Sequence, residues 1–213
     1  MGIRWPAVAG GFLLASYIKG TTGMGFPLVA TPMVAMLVDV RTAYALLLMP
    51  NILMDVFQIG RAGLPWPLWR RLAPLLGTTV IGVFLGTRIM IAIPERAILL
   101  ALAGMILVFL ASTRMRVELR VPPEWESWLG PLTGLVGGVL NGVTNVFSPI
   151  GAIYLLALQF DKRDFVKGIA SMLLAAKVSQ LVAIARWGLY TPAILQWSAG
   201  RSRRSLWGHS GSA

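Results

Sequence analysis

The first apolar run of the chain, about residues 7–38, constrains the fold more than any other feature. About 20 helical residues cross the hydrocarbon core of a bilayer, so this run is longer than one straight span needs. Its middle, residues 19–32, carries three glycines, two prolines and three threonines. These residues weaken or break the hydrogen-bond ladder of a helix. We therefore predict a membrane helix that is interrupted near its middle.

The composition agrees with a membrane protein. Hydrophobic residues make up 56% and charged residues 13% of the 213 residues, and the net charge is +11. In a soluble protein this charge would indicate nucleic-acid binding, but here Lys and Arg lie in short loops between apolar runs, as is typical of membrane proteins. We expect a lipid bilayer as a partner and no nucleic acid. With no cysteine and with His209 as the single histidine, we expect no metal, no cofactor and no catalytic residue.

Five further apolar segments follow the first. They cover about residues 42–60, 72–93, 97–112, 129–160 and 165–185, and residues 61–71 are predicted to form a loop. The segment 129–160 is again too long for one span, and polar and helix-breaking residues interrupt it at 141–149. A seventh segment starts after Pro192. The sequence predicts an all-α fold, a polytopic membrane helix bundle.

The two interrupted segments match each other at an offset of 122 positions, which gives nine identities over residues 20–58. Gly20 and Pro27 fall on Gly142 and Pro149, and we assign these four residues to the helix breaks. The other matched pairs are Thr22 with Thr144, Ala30 with Ala152, Ala35 with Ala157, Asp39 with Asp161, Arg41 with Arg163, Val56 with Val178 and Gln58 with Gln180. We predict two internal repeats, each opening with a broken helix. Residues 1–113 form the first repeat of about four spans, 114–127 a charged linker, 128–200 an incomplete second repeat and 201–213 a polar tail.

The breaks predict a site for an anion. A helix that restarts after a break presents unpaired N–H groups and the positive end of its dipole, and non-helical backbone at membrane depth is typical of transporter sites. The alternative is that the small residues only allow close helix packing. The candidate substrate-binding residues are Thr21, Thr22, Gly23, Gly25, Asn51, Gln58, Asn141, Thr144, Asn145, Ser148, Lys177 and Gln180.

Asp55 and Lys177 hold opposite charges at equivalent positions of the two repeats. A charged residue inside a span costs about 2.5–3.5 kcal/mol on insertion scales, so neither residue should face lipid alone. Two interpretations follow. The residues form an ion pair across the repeat interface, or Lys177 neutralises the substrate while Asp55 carries a coupling proton.

Taken together, these motifs resemble those of the TauE/SafE sulfite exporter family of membrane permeases, over about residues 6–200. The resemblance rests on four features of each half: the Gly/Thr/Pro break, the Asp-x-Arg loop at Asp39 and Asp161, the second helix with Gln58 or Gln180, and an Arg-x-Gly-Leu exit. It implies about eight membrane segments in two halves and transport of sulfite, sulfoacetate or related anions.

The chain departs from that pattern after Trp197, because residues 199–213 are too polar to span a bilayer. We therefore expect the second repeat to lack counterparts of its third and fourth helices. Either the sequence is truncated, or it is a naturally shortened member that a homo-oligomer completes. We expect a multi-pass protein of the inner or plasma membrane, a secondary transporter for a small sulfur-containing or organic anion. The alternatives are a truncated, non-transporting fragment or assembly subunit, or an anion channel.

Overall fold

A computed structural model of the protein describes Tyr17 and residues 26–36, 40–63, 66–114 and 120–187. These ranges contain seven α-helices and no strand. The helices are α1 Phe26–Ala35, α2 Val40–Ala62, α3 Trp66–Ala92, α4 Glu95–Arg114, α5 Pro123–Thr144, α6 Ser148–Ala157 and α7 Lys162–Arg186. The all-α prediction is confirmed.

Three of these helices are long and apolar enough to cross a membrane. They are Ala43–Arg61 within α2, Trp66–Ala92 and Lys162–Arg186. Large apolar side chains such as Phe57, Leu85 and Val182 are exposed on these helices. Such side chains suit contact with lipid because they are apolar, and the backbone groups in the middle of a helix are bonded within the helix. The prediction of a membrane helix bundle is confirmed.

Two helices begin earlier than predicted. The expected loop at residues 61–71 is wrong at both ends, because α2 continues through Ala62 and α3 starts at Trp66. Pro67 suits the first turn of a helix, and the indole Nε1 of Trp69 donates a hydrogen bond of 2.7 Å to Ser171 Oγ on α7. Likewise, α5 starts at Pro123, inside the predicted linker 114–127, with two acidic residues in its first turn.

α3 and α5 form the most extensive helix contact of the described chain. Glycines let the two backbones touch, since a Cβ atom on Gly138 would lie 2.5 Å from the carbonyl oxygen of Thr79. Gly134 meets Leu75 and Gly142 meets Thr87, so the contacts advance along both helices together and the helices are parallel. The contact joins the first predicted repeat to the second.

An ion pair connects the N-terminal parts of the same two helices. Arg71 donates from Nε and Nη2 to the two carboxylate oxygens of Glu126, at 2.6 and 2.7 Å. The Arg71 guanidinium also lies 4.8 Å from the centre of the Phe160 ring. The main apolar core lies next to this pair and joins α3, α6 and α7. Its buried members are Leu68, Leu72, Leu75, Phe147, Tyr154, Leu155, Leu158, Ile169, Met172 and Leu173.

The interruption expected at residues 141–149 is present and is shorter than predicted. α5 continues through Thr144, and only residues 145–147 separate it from α6. Asn145 has a left-handed φ of 61° and its N–H donates to the Asn141 carbonyl at 2.7 Å. Pro149 is the second residue of α6. Gly142 does not break the helix; it lies inside α5, where a Cβ atom would be 2.5 Å from the Thr87 nitrogen.

The first predicted break cannot be compared in the same way, because Gly20, Thr21, Thr22, Gly23 and Gly25 lie outside the described residues. Pro27 is the second residue of α1, as Pro149 is of α6. α1 and α6 have ten residues each and begin 122 positions apart, and α2 and α7 begin at the same offset. The internal duplication stays a prediction, with which these bounds agree.

Candidate functional site

The break between α5 and α6 is fully buried. Asn145, Val146 and Phe147 are all inaccessible to solvent. The Thr144 hydroxyl donates to the Leu140 carbonyl at 2.7 Å and accepts from the Val146 N–H at 3.3 Å. Its bonds therefore hold the backbone of the break in place. At the other side, α6 begins at Ser148 with no hydrogen bond from a capping side chain, which leaves N–H groups at its start.

Lys177 of α7 binds this break with its ammonium group. The side chain is only 1% exposed. Its Nζ donates to the Asn145 carbonyl at 2.8 Å, to the Asn141 Oδ1 at 3.3 Å and to the Asn145 Oδ1. The ammonium thus lies at the C-terminal end of α5, where unpaired carbonyls and the negative end of the helix dipole favour a cation. The buried Lys177 ammonium therefore stabilises the backbone of the break.

The ammonium also fixes the direction of the amide hydrogen bonds around it. Lysine can only donate, so Asn141 and Asn145 must both turn their Oδ1 atoms towards it. Asn141 therefore presents its Nδ2 on the other side, and this group donates to the Gln180 Oε1 at 3.3 Å. Because Gln180 accepts this bond with its Oε1, its Nε2 remains as a donor for another group. The orientation of three amides follows from one charge.

This arrangement ends in two amide groups that have N–H donors and no acceptor. Among the described residues, neither the Asn145 Nδ2 nor the Gln180 Nε2 has a hydrogen-bond partner, although both are buried. A buried donor without an acceptor costs about 1–3 kcal/mol. The site therefore combines a positive charge with a surplus of donors. An anion is the ligand that would satisfy both.

The facing helix α2 adds two buried polar side chains. Asn51 is 1% exposed and its Nδ2 donates to the Leu47 carbonyl at 3.0 Å, and Asp55 is fully buried one turn further along. α2 packs against α7, the helix that carries Lys177. Gln58 is half-buried. The pairing of Asp55 with Lys177, and the alternative role of Asp55 as a proton carrier, stay predictions.

The predicted site residues thus fall into separate groups. Asn141, Asn145, Lys177 and Gln180 share one hydrogen-bond network. Thr144 supports the backbone, and Gly142 packs against α3. Ser148 starts α6. The glycines and threonines expected from the first break lie outside the described residues.

Sequence reasoning missed three buried hydroxyl groups. Thr31 of α1, Tyr44 of α2 and Thr87 of α3 are fully buried, and their hydroxyls have no hydrogen-bond partner among the described residues. The only signal in the sequence is a single hydroxyl within an apolar span. That signal is weak, because a threonine in a helix commonly bonds to a carbonyl of its own helix.

Metal chemistry has no candidate site in the described part of the chain. No group of three or more His, Asp or Glu side chains there could hold a metal ion. The described residues can instead bind a charged ligand through the Lys177 ammonium and the amide donors of Asn145 and Gln180.

Comparison with protein-family models matches residues 7–200 to the family described as Sulfite exporter TauE/SafE. Neither the curated proteins nor the solved structures contain a match to the chain. The family match covers most of the sequence and confirms the resemblance found in its motifs. The chain belongs to the TauE/SafE sulfite exporter family, which is a family of membrane transporters.

Proposed function

We propose that this protein is a secondary transporter that exports a small anion, such as sulfite or a sulfonate, across the inner or plasma membrane, which it crosses several times. Membership of the TauE/SafE family supports the class of function. One observation supports the anion site within this chain: the buried Asn145 Nδ2 and Gln180 Nε2 have no acceptor in the described part of the chain, and they lie beside a buried ammonium group.

The balance of charge and donors suits transport better than permanent binding. An anion that enters the bundle loses its hydration, and Lys177 with two amide donors replaces part of it. The oxygens of Asn141 and Asn145 already share the Lys177 charge, which weakens its pull on a ligand. A ligand held in this way is released more readily than one paired with an unshared charge.

The broken helix is a position at which the backbone around the site can change conformation. In many transporters, helices interrupted at mid-membrane belong to duplicated halves that move around the substrate. The equal lengths and matching offset of α1 and α6 support a second break of the same kind in the first half. Asp55, buried on the helix that faces Lys177, would carry the coupling proton. A homo-oligomer would supply further helices if the second repeat is incomplete.

Sulfite efflux from reconstituted vesicles tests this proposal. The Gln180→Glu variant keeps an oxygen for the Asn141 donor and replaces the free N–H₂ group by a negative oxygen. Because a hydrogen bond to a charged group is worth about 1.5–3 kcal/mol, we expect efflux at low sulfite to fall by about 10–100-fold. Gln159→Glu, the same change at an exposed residue of the loop after α6, is the matched control and should transport like the wild type.

The same assay separates the alternatives. A transporter gives efflux that saturates with sulfite concentration, whereas a channel gives efflux that does not. A non-transporting fragment or assembly subunit gives no efflux in the wild-type protein. Equal saturable efflux by wild type and Gln180→Glu would refute the anion site as we describe it.

A further inference from the structure

The Thr87 hydroxyl differs from the buried hydroxyls of Thr79 on the same helix and of Ser179 on α7, which are bonded within their own helices. Thr79, two turns earlier on α3, donates to the Leu75 carbonyl at 2.8 Å, and Ser179 on α7 donates to the Ala175 carbonyl at 2.7 Å. Such bonds to the preceding turn are the usual solution for a hydroxyl inside a helix. The Thr87 hydroxyl makes no such bond and has no other partner among the described residues, although the residue is fully buried.

Thr87 lies beside the last turn of α5, the turn that ends at the break. A Cβ atom on Gly142 would be 2.5 Å from the Thr87 nitrogen and 2.7 Å from the Val83 carbonyl oxygen. Val83 carries the carbonyl to which Thr87 would donate if it behaved like Thr79. Gly142 follows Asn141 directly and precedes Asn145 by three residues. α3 therefore reaches the level of the amide network at Thr87.

We propose that the Thr87 hydroxyl is a further donor to the transported anion and that it helps the site select among anions. This inference rests on the proposed function. It places one neutral donor on each of three elements: Thr87 on α3, Asn145 in the break and Gln180 on α7. Three donors carried by three different elements suit the three oxygens of a sulfite ion or of a sulfonate group better than the two oxygens of a carboxylate.

The hydroxyl is unfavourable in the protein without ligand, which makes the inference testable. Burying a hydroxyl without a partner costs free energy, and a ligand oxygen would return it. Thr87→Val has the same shape and no hydroxyl, so it should bind the anion less tightly while the ligand-free protein unfolds at the same or a higher temperature. A hydroxyl that supported the fold would instead lower the unfolding temperature when it is removed.

Two measurements on the reconstituted protein test this. The first is the sulfite concentration at half-maximal efflux, and the second is competition of that efflux by methanesulfonate and by acetate. For Thr87→Val we expect about a tenfold rise in the half-saturating concentration, equal to about 1.4 kcal/mol. Competition by methanesulfonate should weaken to a similar extent, and competition by acetate should change little. Thr87→Ser should restore the wild-type values.

Thr79→Val is the matched control, because it removes a hydroxyl that already has its bond within α3. It should leave the half-saturating concentration and both competitions unchanged. The inference is overturned if Thr87→Val keeps wild-type affinity and selectivity, or if Thr87→Ser fails to restore them. The proposed function fails separately, if wild-type efflux does not saturate or if Gln180→Glu leaves it unchanged.

Discussion

Replacing Lys177 by Met should open the break between α5 and α6. The substitution keeps most of the apolar stem and removes the ammonium, so three oxygens of Asn141 and Asn145 lose their donor. Bonds to a charged donor are worth about 1.5–3 kcal/mol each. The loss is offset by several kcal/mol, because the ammonium no longer has to be buried. We expect a net decrease of about 2–4 kcal/mol in the free energy of unfolding.

Thermal unfolding in detergent measures this effect. For a chain of this length, the expected decrease corresponds to a fall of about 4–16 °C in Tm. Hydrogen exchange should become faster at the amides of residues 145–147, because the bond to the Asn145 carbonyl fixes that segment. Lys162→Met removes an exposed lysine from the first turn of the same helix and should change stability by less than about 0.5 kcal/mol. If Lys177→Met unfolds at the wild-type temperature, the ammonium does not hold the break and our reading of the network is wrong.

Two further predictions concern the contact between α3 and α5. Gly138→Ala should lower Tm, because its Cβ atom would lie 2.5 Å from the Thr79 carbonyl oxygen. Gly77→Ala should raise helix stability by about 0.5–1 kcal/mol, because no described residue lies within 4 Å of the added Cβ atom. Equal effects of the two substitutions on Tm would contradict the close packing. Glu126→Gln should remove the ion pair with Arg71 and lower stability by no more than about 1 kcal/mol, since the Arg71 side chain is 47% exposed. The difference from wild type should shrink at high salt, and a difference that grows with salt would argue against an ion pair.

The helices and the second break could be predicted from the sequence because both leave local signals. Apolar runs of sufficient length identify spans wherever they occur. Pro149 and the polar residues before it located the break to within a few positions. The start of α3 was missed because Trp69 and Arg71 lie in a stretch that reads as a polar, aromatic loop. Only their contacts with α7 and α5 show why this stretch is helical.

The arrangement of the site depended on partners far away in the sequence. Gly142 looked like a helix breaker, but its role is set by α3, which lies against it. Asn141, Lys177 and Gln180 were chosen because they are polar residues in apolar spans, and their role in anion binding stays a prediction. Their hydrogen-bond directions could not be predicted, because they follow from one ammonium that reaches across from another helix. Thr87 gave only a weak local signal, because it differs from Thr79 only in lacking the hydrogen bond to a carbonyl of its own helix.

The direct contact of the α3 and α5 backbones limits how the bundle can move. No layer of side chains separates the two helices at Gly134, Gly138 and Gly142, so they cannot slide or rotate past each other without losing the contact. We therefore expect the two helices to move as one rigid body, although they belong to different predicted halves. If α6 moves relative to this rigid body, the backbone changes at residues 145–147, where α5 has ended and α6 begins. Lys177 of α7 is bonded to that segment, so a movement of α6 about it would also strain the bonds of Lys177 to Asn141 and Asn145.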